Sequence, residues 1–327
     1  MASIVGGSFD PVENPNIDAT QSMLIRDFLD QIGLSEGAVE PVAVQSSGGS
    51  PSIDSLEPYV LADTTTAATV LATEGEQIAL SLNPDSETGR ILIVQGSGDA
   101  LITGGGGGDK VQAGSGDDTV DAGSGDDLVR GGVGSDLLAG DLGDDIIYGN
   151  MGSDTLSAGD GADSLFGGQG EDCISGGDDS DFLMGNRGAD IVYGNLGDDI
   201  IYGNQQNDMV YGGSGGDTLY GGQNNDTLEG GRGDDALHGN LGGDQFVFRT
   251  NSGVDVIYDF VAGTDTIRVA AGINGLSVAE PGDLAGRISS DAQGNAVIDF
   301  GNGNVVTVDG LNANDLLGDI SSYISVG

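Results

Sequence analysis

Sixteen aspartates recur at intervals of nine residues without a gap: Asp109, Asp118, Asp127, Asp136, Asp145, Asp154, Asp163, Asp172, Asp181, Asp190, Asp199, Asp208, Asp217, Asp226, Asp235 and Asp244. Most close a glycine-rich turn, as in Gly167-Gly168-Gln169-Gly170-Glu171-Asp172. Glycine turns leave main-chain carbonyls close together and uncovered, and each aspartate adds a carboxylate. The donor set is therefore all hard oxygen, without nitrogen or sulfur. It suits calcium, which takes six to eight oxygens in flexible geometry, better than zinc or copper.

The elements that must position these carboxylates follow from the rest of the repeat. Two residues after every aspartate the side chain is apolar, from Val111 and Val120 through Ile147, Leu165 and Leu219 to Phe246. In sixteen nonapeptides from 104 to 247, the first position is always Gly or Ala, the second Gly, Asn or Asp, and the fourth Gly in thirteen. Those residue types tolerate a left-handed backbone at low cost. Six residues of turn followed by three of strand make a half-coil whose middle strand residue points inward. Asp179, Gln206 and Asn224 replace the fourth-position glycine, and Gln206 is the least suited to positive φ.

This pattern resembles the G-G-x-G-x-D-x-U-x repeat of RTX proteins, the hemolysin-type calcium-binding family. The resemblance implies an all-β fold, a parallel β-roll or calcium-stabilised β-solenoid, with each ion held between turns i and i+2. Sixteen turns then offer about fourteen calcium sites. Charge agrees with that number: residues 104–247 carry 26 Asp and 2 Glu against four basic residues, a net −24. A Gly/Asp-rich, low-aromatic acidic tract without calcium is expected to be disordered.

The whole chain has 327 residues, a formal charge of −44, 62 Gly and no Trp. That charge excludes nucleic acid as a direct partner and disfavours anionic membrane surfaces. No stretch reaches the roughly 18 apolar residues of a spanning helix. Cys173 is the single cysteine, so no intramolecular disulfide can form. Met1 to Gly7 is expected to carry no secretory leader, and the family resemblance implies an extracellular protein, secreted or surface-associated, exported by type I secretion machinery through a C-terminal signal. Calcium-coupled folding fits that route, because the aspartate array repels itself where calcium is scarce.

Four segments are expected. Residues 1–55 form a short helix around Thr20 to Ile32 and a linker, and residues 56–103 form a β-strand cap. The last turn of that cap, Gln95 to Thr103, is a degenerate rung with Ala100 in place of aspartate. Residues 104–247 form the roll, and residues 248–327 form a C-terminal β cap with a short helix near Asn314 to Tyr323. Its alternating Phe246, Phe248, Ile257, Phe260, Ile267 and Val269 is similar to the capping segment that follows many RTX arrays.

No catalytic function is expected. Only 103 residues precede the array, no H-E-x-x-H is present, and the one histidine, His238, lies within the repeats. The G-x-S-x-G match at Gly212 to Gly216 is a phase coincidence of the repeat, without a strand-to-helix elbow. The outward strand positions of alternate units carry Tyr148, Phe166, Phe182, Met184, Ile200, Tyr202 and Tyr220. They mark a candidate interface for another copy or for the N-terminal segment. The expected role is a secreted structural or self-assembling scaffold such as a surface layer, matrix or filament; the alternative is a non-catalytic accessory module of an RTX toxin or hydrolase system.

Overall fold

The computed structural model describes residues 59–60, 67–72, 78–81 and 89–327. The helix and linker expected within residues 1–55 lie outside them. The chain divides into two compact units, one ending at Gly170 and one beginning at Glu171. Both are built as a parallel β-solenoid, so the all-β roll is the observed architecture.

In the first unit, strands alternate between two parallel sheets, each strand pairing with the one two further along. Ile146–Met151 lies beside Leu128–Val133 and Ser164–Gln169, with Ile147 level with Val129 and Leu165. Thr155–Asp160 lies beside Leu137–Leu142 in the other sheet. The register is eighteen residues, two nonapeptides per coil. The segments before the array, Ile78–Ser81 and Ile91–Gly96, join its first edge as further parallel rungs.

The second unit repeats the arrangement from Cys173–Asp178 and Phe182–Arg187 onward. It closes with Gln245–Phe248, Thr266–Val269 and Ile324–Val326 in one sheet. In the other, Val254–Ile257 pairs in parallel with Asn304–Asn312, which folds back antiparallel on Asn295–Gly301. Phe248 packs on Phe300, and Phe260 on Phe246 and Tyr323. The expected C-terminal helix is broken into Ala313–Gly318 and Ile320–Tyr323. Asp319, between them, has φ −148° and ψ 57°, which ends the helical path.

The array's strands run to six residues, longer than the three expected, because inter-coil pairing continues into the turn, with Asn150 level with Gly168 and Met151 with Gln169. The inward residue is nevertheless the one expected: Ile147, Leu165, Ile201 and Leu219 are 0% exposed. Ala113, Ala122 and Ala158, at the first repeat position, are buried too. Positive φ falls where the repeat demands it, at the second and fourth positions. Asn150, Asn186, Asn195 and Asn204 adopt it at the second, and Asp179, Gln206 and Asn224 at the fourth, with φ of 72°, 77° and 82° in those last three. One buried apolar side chain per nine residues is a thin core, and the turns must be held by something else.

Candidate metal centre

In each unit the repeat aspartates are brought together in columns, one aspartate of each column per coil, and all sixteen are 1 to 3% exposed. Within each unit a carboxylate is tied to the previous coil through Oδ1. In the first unit, the Asp118 amide donates to Asp136 Oδ1 at 2.9 Å and Asp127 to Asp145 Oδ1 at 2.8 Å. In the second, Asp190 donates to Asp208 Oδ1 at 2.9 Å, Asp199 to Asp217 at 2.9 Å and Asp217 to Asp235 at 2.9 Å. The aspartate carbonyls serve the neighbouring strand, as where Thr218 N–H donates to Asp199 O.

Oδ2 is left over. In Asp118, Asp127, Asp136, Asp145, Asp190, Asp199, Asp208, Asp217, Asp226 and Asp235 it is buried and accepts no hydrogen bond. A buried carboxylate oxygen without a partner is costly and invites a cation or a proton. Burial is accordingly the largest influence on these groups. It pushes Asp118, Asp127 and Asp208 up to about 8, and Asp136, Asp145, Asp190, Asp217 and Asp226 to about 7. Neighbouring carboxylates push the same way, while main-chain N–H groups oppose it.

The first-position glycines outline the cradle that Oδ2 faces. A Cβ added at Gly140, Gly149, Gly194, Gly203 or Gly212 would strike both the Oδ2 of the aspartate five residues on and the main-chain oxygen eighteen residues on. At Gly203 these are Asp208 Oδ2 and Gly221 O, the latter 2.7 Å from the added atom. A carboxylate oxygen of one turn and a carbonyl of the next turn in the same stack thus converge on one point. Among the described residues no three His, Cys, Asp or Glu side chains converge. A bound ion must take most of its ligands from main-chain carbonyls, a set that fits calcium and not zinc. Ala113, Ala122 and Ala158 put a methyl at the corner that glycine leaves open, which the residue types alone did not mark as a difference between sites.

Three further residues extend the columns beyond the sixteen. The Arg90 amide donates to Asp109 Oδ1 at 2.8 Å, so a buried arginine stands where the preceding coil would hold an aspartate. Burial raises the Asp109 carboxyl, and the Arg90 charge is among the influences that oppose the rise. At the other end Asp235 donates to Asp255 Oδ1 at 3.1 Å and Asp244 to Asp265 Oδ1 at 2.9 Å. Both keep an apolar residue two positions on, Ile257 and Ile267. That signal was readable, but insertions break the nine-residue count.

The outward aromatics of alternate units stack on one another. Tyr148 lies 4.7 Å from Phe166, and Tyr202 4.6 Å from Tyr220, with planes within 10°. His238 is sandwiched between Tyr220 and Tyr258 at 4.6 and 4.8 Å. Phe182 is tilted against Tyr202 and Arg130 sits over the Tyr148 ring. Tyr148, Phe166, Phe182, Met184, Tyr202 and Tyr220 are half-buried as a result, while Ile200 is 42% exposed. Exposed apolar side chains also occur on the other sheet, at Tyr193 and Met209, so the contrast between the sheets is smaller than residue types alone imply. Ser214 ends a strand that is followed by another strand, not a helix. Cys173 is exposed, and no described helix is long and apolar enough to cross a membrane.

A family model described as the RTX calcium-binding nonapeptide repeat (4 copies) matches residues 95–129, 103–138, 121–156, 130–165, 148–183, 175–210 and 211–246. Among solved structures, the chain is similar to the extracellular lipase LipA from Serratia marcescens. The identity is 18%, over 80% of this chain and 45% of that one, with a TM-score of 0.32. The chain therefore spans less than half the length of that lipase. It is also similar to the AlgE6R3 subunit from the Azotobacter vinelandii mannuronan C5-epimerase, at 24% identity over 46% of this chain and 78% of that one, with a TM-score of 0.15. No curated protein matches the chain.

Proposed function

The protein is an RTX calcium-binding repeat protein through residues 95–246, and on that premise we propose that it is a secreted scaffold whose folding is switched on by calcium. The sixteen repeat aspartates are its calcium-ligating residues. The observation that carries this reading is the set of buried Oδ2 atoms, as in Asp118, Asp208 and Asp217, that face carbonyl-lined turns without a hydrogen bond. In calcium-poor surroundings the net −24 of residues 104–247 opposes compaction. Where calcium is abundant, each ion neutralises carboxylates and draws successive turns together. Such a chain stays export-competent inside a cell, passes through type I secretion machinery and becomes rigid outside.

Assembly through a sheet face supplies the scaffold role, with a second copy of this chain as the partner. Each unit offers a stack of already ordered rings on a sheet face, Tyr148 with Phe166 in the first and Tyr202 with Tyr220 in the second. Pre-ordered side chains lose little entropy on docking. Size-exclusion chromatography and electron microscopy in calcium, then in chelator, test this. Ordered polymers are expected in calcium, and dispersal in chelator. Replacing Tyr148, Phe166, Tyr202 and Tyr220 with Ser should abolish assembly and leave calcium-dependent folding intact. A calcium-loaded wild type that stays monomeric would favour a non-catalytic accessory module, and assembly that survives the four replacements would overturn the interface.

A further inference from the structure

The array does not stop where its nine-residue count stops. After a two-residue insertion, Thr250 to Tyr258 repeats the backbone turn, the inter-coil bonds and the inward residue of a roll turn, with Thr250 in place of the first-position Gly or Ala. Asn251 has φ 67° at the second position and Gly253 φ 96° at the fourth, as in the turns before it. Gly233 N–H donates to Ser252 O at 3.2 Å, the same bond that Gly215 makes to Arg232 O one coil earlier. Val254 N–H donates to Asp234 Oδ1, the counterpart of the Gly216 bond to Asp198 Oδ1. Ile257 takes the inward place and is 0% exposed, and Val254–Ile257 pairs in register with Ala236–Leu241.

The sixth position of this turn is Asp255. It is 1% exposed, its Oδ1 accepts from the Asp235 amide, and its Oδ2 is buried without a hydrogen bond. Ser252, three residues before, is 3% exposed, and its Oγ is also buried without a hydrogen bond of acceptable geometry. One coil earlier, Asp235 Oδ2 is in the same state. Three buried oxygens of one pair of stacked turns therefore lack a partner outside it, the Ser252 side chain interacting only with the Asp255 carboxylate. Burial, and after it the Asp235 and Asp234 charges, push Asp255 up to about 8 against the Asp235 amide bond and a hydrogen bond from the Ser252 side chain. Asp265, which ends the other column, differs: its Oδ1 accepts from Asp244 N–H and its Oδ2 accepts from Val261 N–H at 2.7 Å. That carboxylate is satisfied by the protein alone.

We propose that Thr250 to Tyr258 is a seventeenth roll turn in which Asp255 and Ser252, with Asp235, hold a further calcium ion that couples the C-terminal cap to the array. The proposal rests on the calcium reading of the repeats. The turn is the junction to the cap, because Gly253 N–H donates to Asn304 Oδ1 and Val254–Ile257 pairs with Asn304–Asn312. An ion there gives the cap hairpin an ordered edge to dock on. Asp265 closes its column with hydrogen bonds alone, so the two columns end differently, one on a metal and one on an amide.

The test uses the full chain, with bound calcium counted by plasma mass spectrometry and amide exchange followed at Val254 and Val305. Asp255→Asn keeps the Oδ1 acceptor and removes the charge. It should bind one ion fewer than wild type and exchange at least tenfold faster at Val305, with Leu219 unchanged. Ser252→Ala should keep the ion count in saturating calcium and raise the calcium concentration that protects Val305 several-fold. Asp265→Asn should leave the count unaltered. An unchanged count and unchanged protection in Asp255→Asn would overturn the proposal. If that variant does not fold, wild-type calcium dependence in Ser252→Ala would overturn it instead. A wild type that binds no calcium would refute the array reading, whereas a loaded wild type with an indifferent Asp255→Asn would refute this site alone.

Discussion

Acidifying the calcium-free protein should help it fold, the reverse of ordinary acid denaturation. Asp217 is 1% exposed, and burial carries its carboxyl from 3.8 to about 7. A folded value raised above the unfolded one means that the folded chain binds the proton more tightly. The penalty is therefore absent below about pH 4, grows as pH rises, and is complete above about pH 8. At roughly 1.4 kcal/mol for each tenfold change, ionised Asp217 costs the metal-free fold about 4 kcal/mol at pH 8. Asp136, Asp145, Asp190 and Asp226 are raised to the same value. A domain's net stability is only about 5–15 kcal/mol, so a few such groups are enough to cancel it. In chelator, far-UV circular dichroism and amide exchange at Ile147 and Leu219 should show an unfolded chain at pH 8. β-structure and protection should return as pH falls from 7 toward 5. In calcium the order reverses, since protons compete for the same oxygens and the calcium midpoint should rise on acidification. A chelated protein as well folded at pH 8 as at pH 5, or one that gains no structure on acidification, would refute the reasoning.

Two substitutions probe the turn and the core. Gln206 holds φ 77° without being glycine, so Gln206→Gly should relieve about 1 kcal/mol of backbone strain. Its melting temperature in saturating calcium should rise by about 2 °C or more, and a fall would show that the side chain contributes more than the strain costs. Leu219 is 0% exposed and is its turn's inward residue. Leu219→Ala should cost about 2–5 kcal/mol in denaturant unfolding with calcium present, and a loss under 1 kcal/mol would mean the ions, not the core, dominate the stability of the loaded roll.

The repeat's local chemistry was legible in the residues themselves. A position that is always aspartate, another that is always apolar and others that accept positive φ announce an oxygen-rich turn, an inward strand residue and a parallel roll. Each of these is decided within nine residues. Ile147, Leu219 and the positive φ of Asp179, Gln206 and Asn224 are found as the pattern requires.

What one coil does to the next was not legible, because it depends on register and on insertions. Only the stacked structure separates the two carboxylate oxygens, using Oδ1 of Asp235 to accept from the Asp217 amide and leaving Oδ2 buried without a hydrogen bond. Only stacking turns the outward tyrosines from a loose apolar patch into rings that cover one another. The insertions after Asp244 hide Asp255 and Asp265 from a nine-residue count, yet the sheets bring both back into column. Sequence alone thus determined the ligand chemistry and the period. Tertiary structure decided where the columns end and which buried oxygens stay unpaired, because a hydrogen bond between coils exists only once the coils are in register.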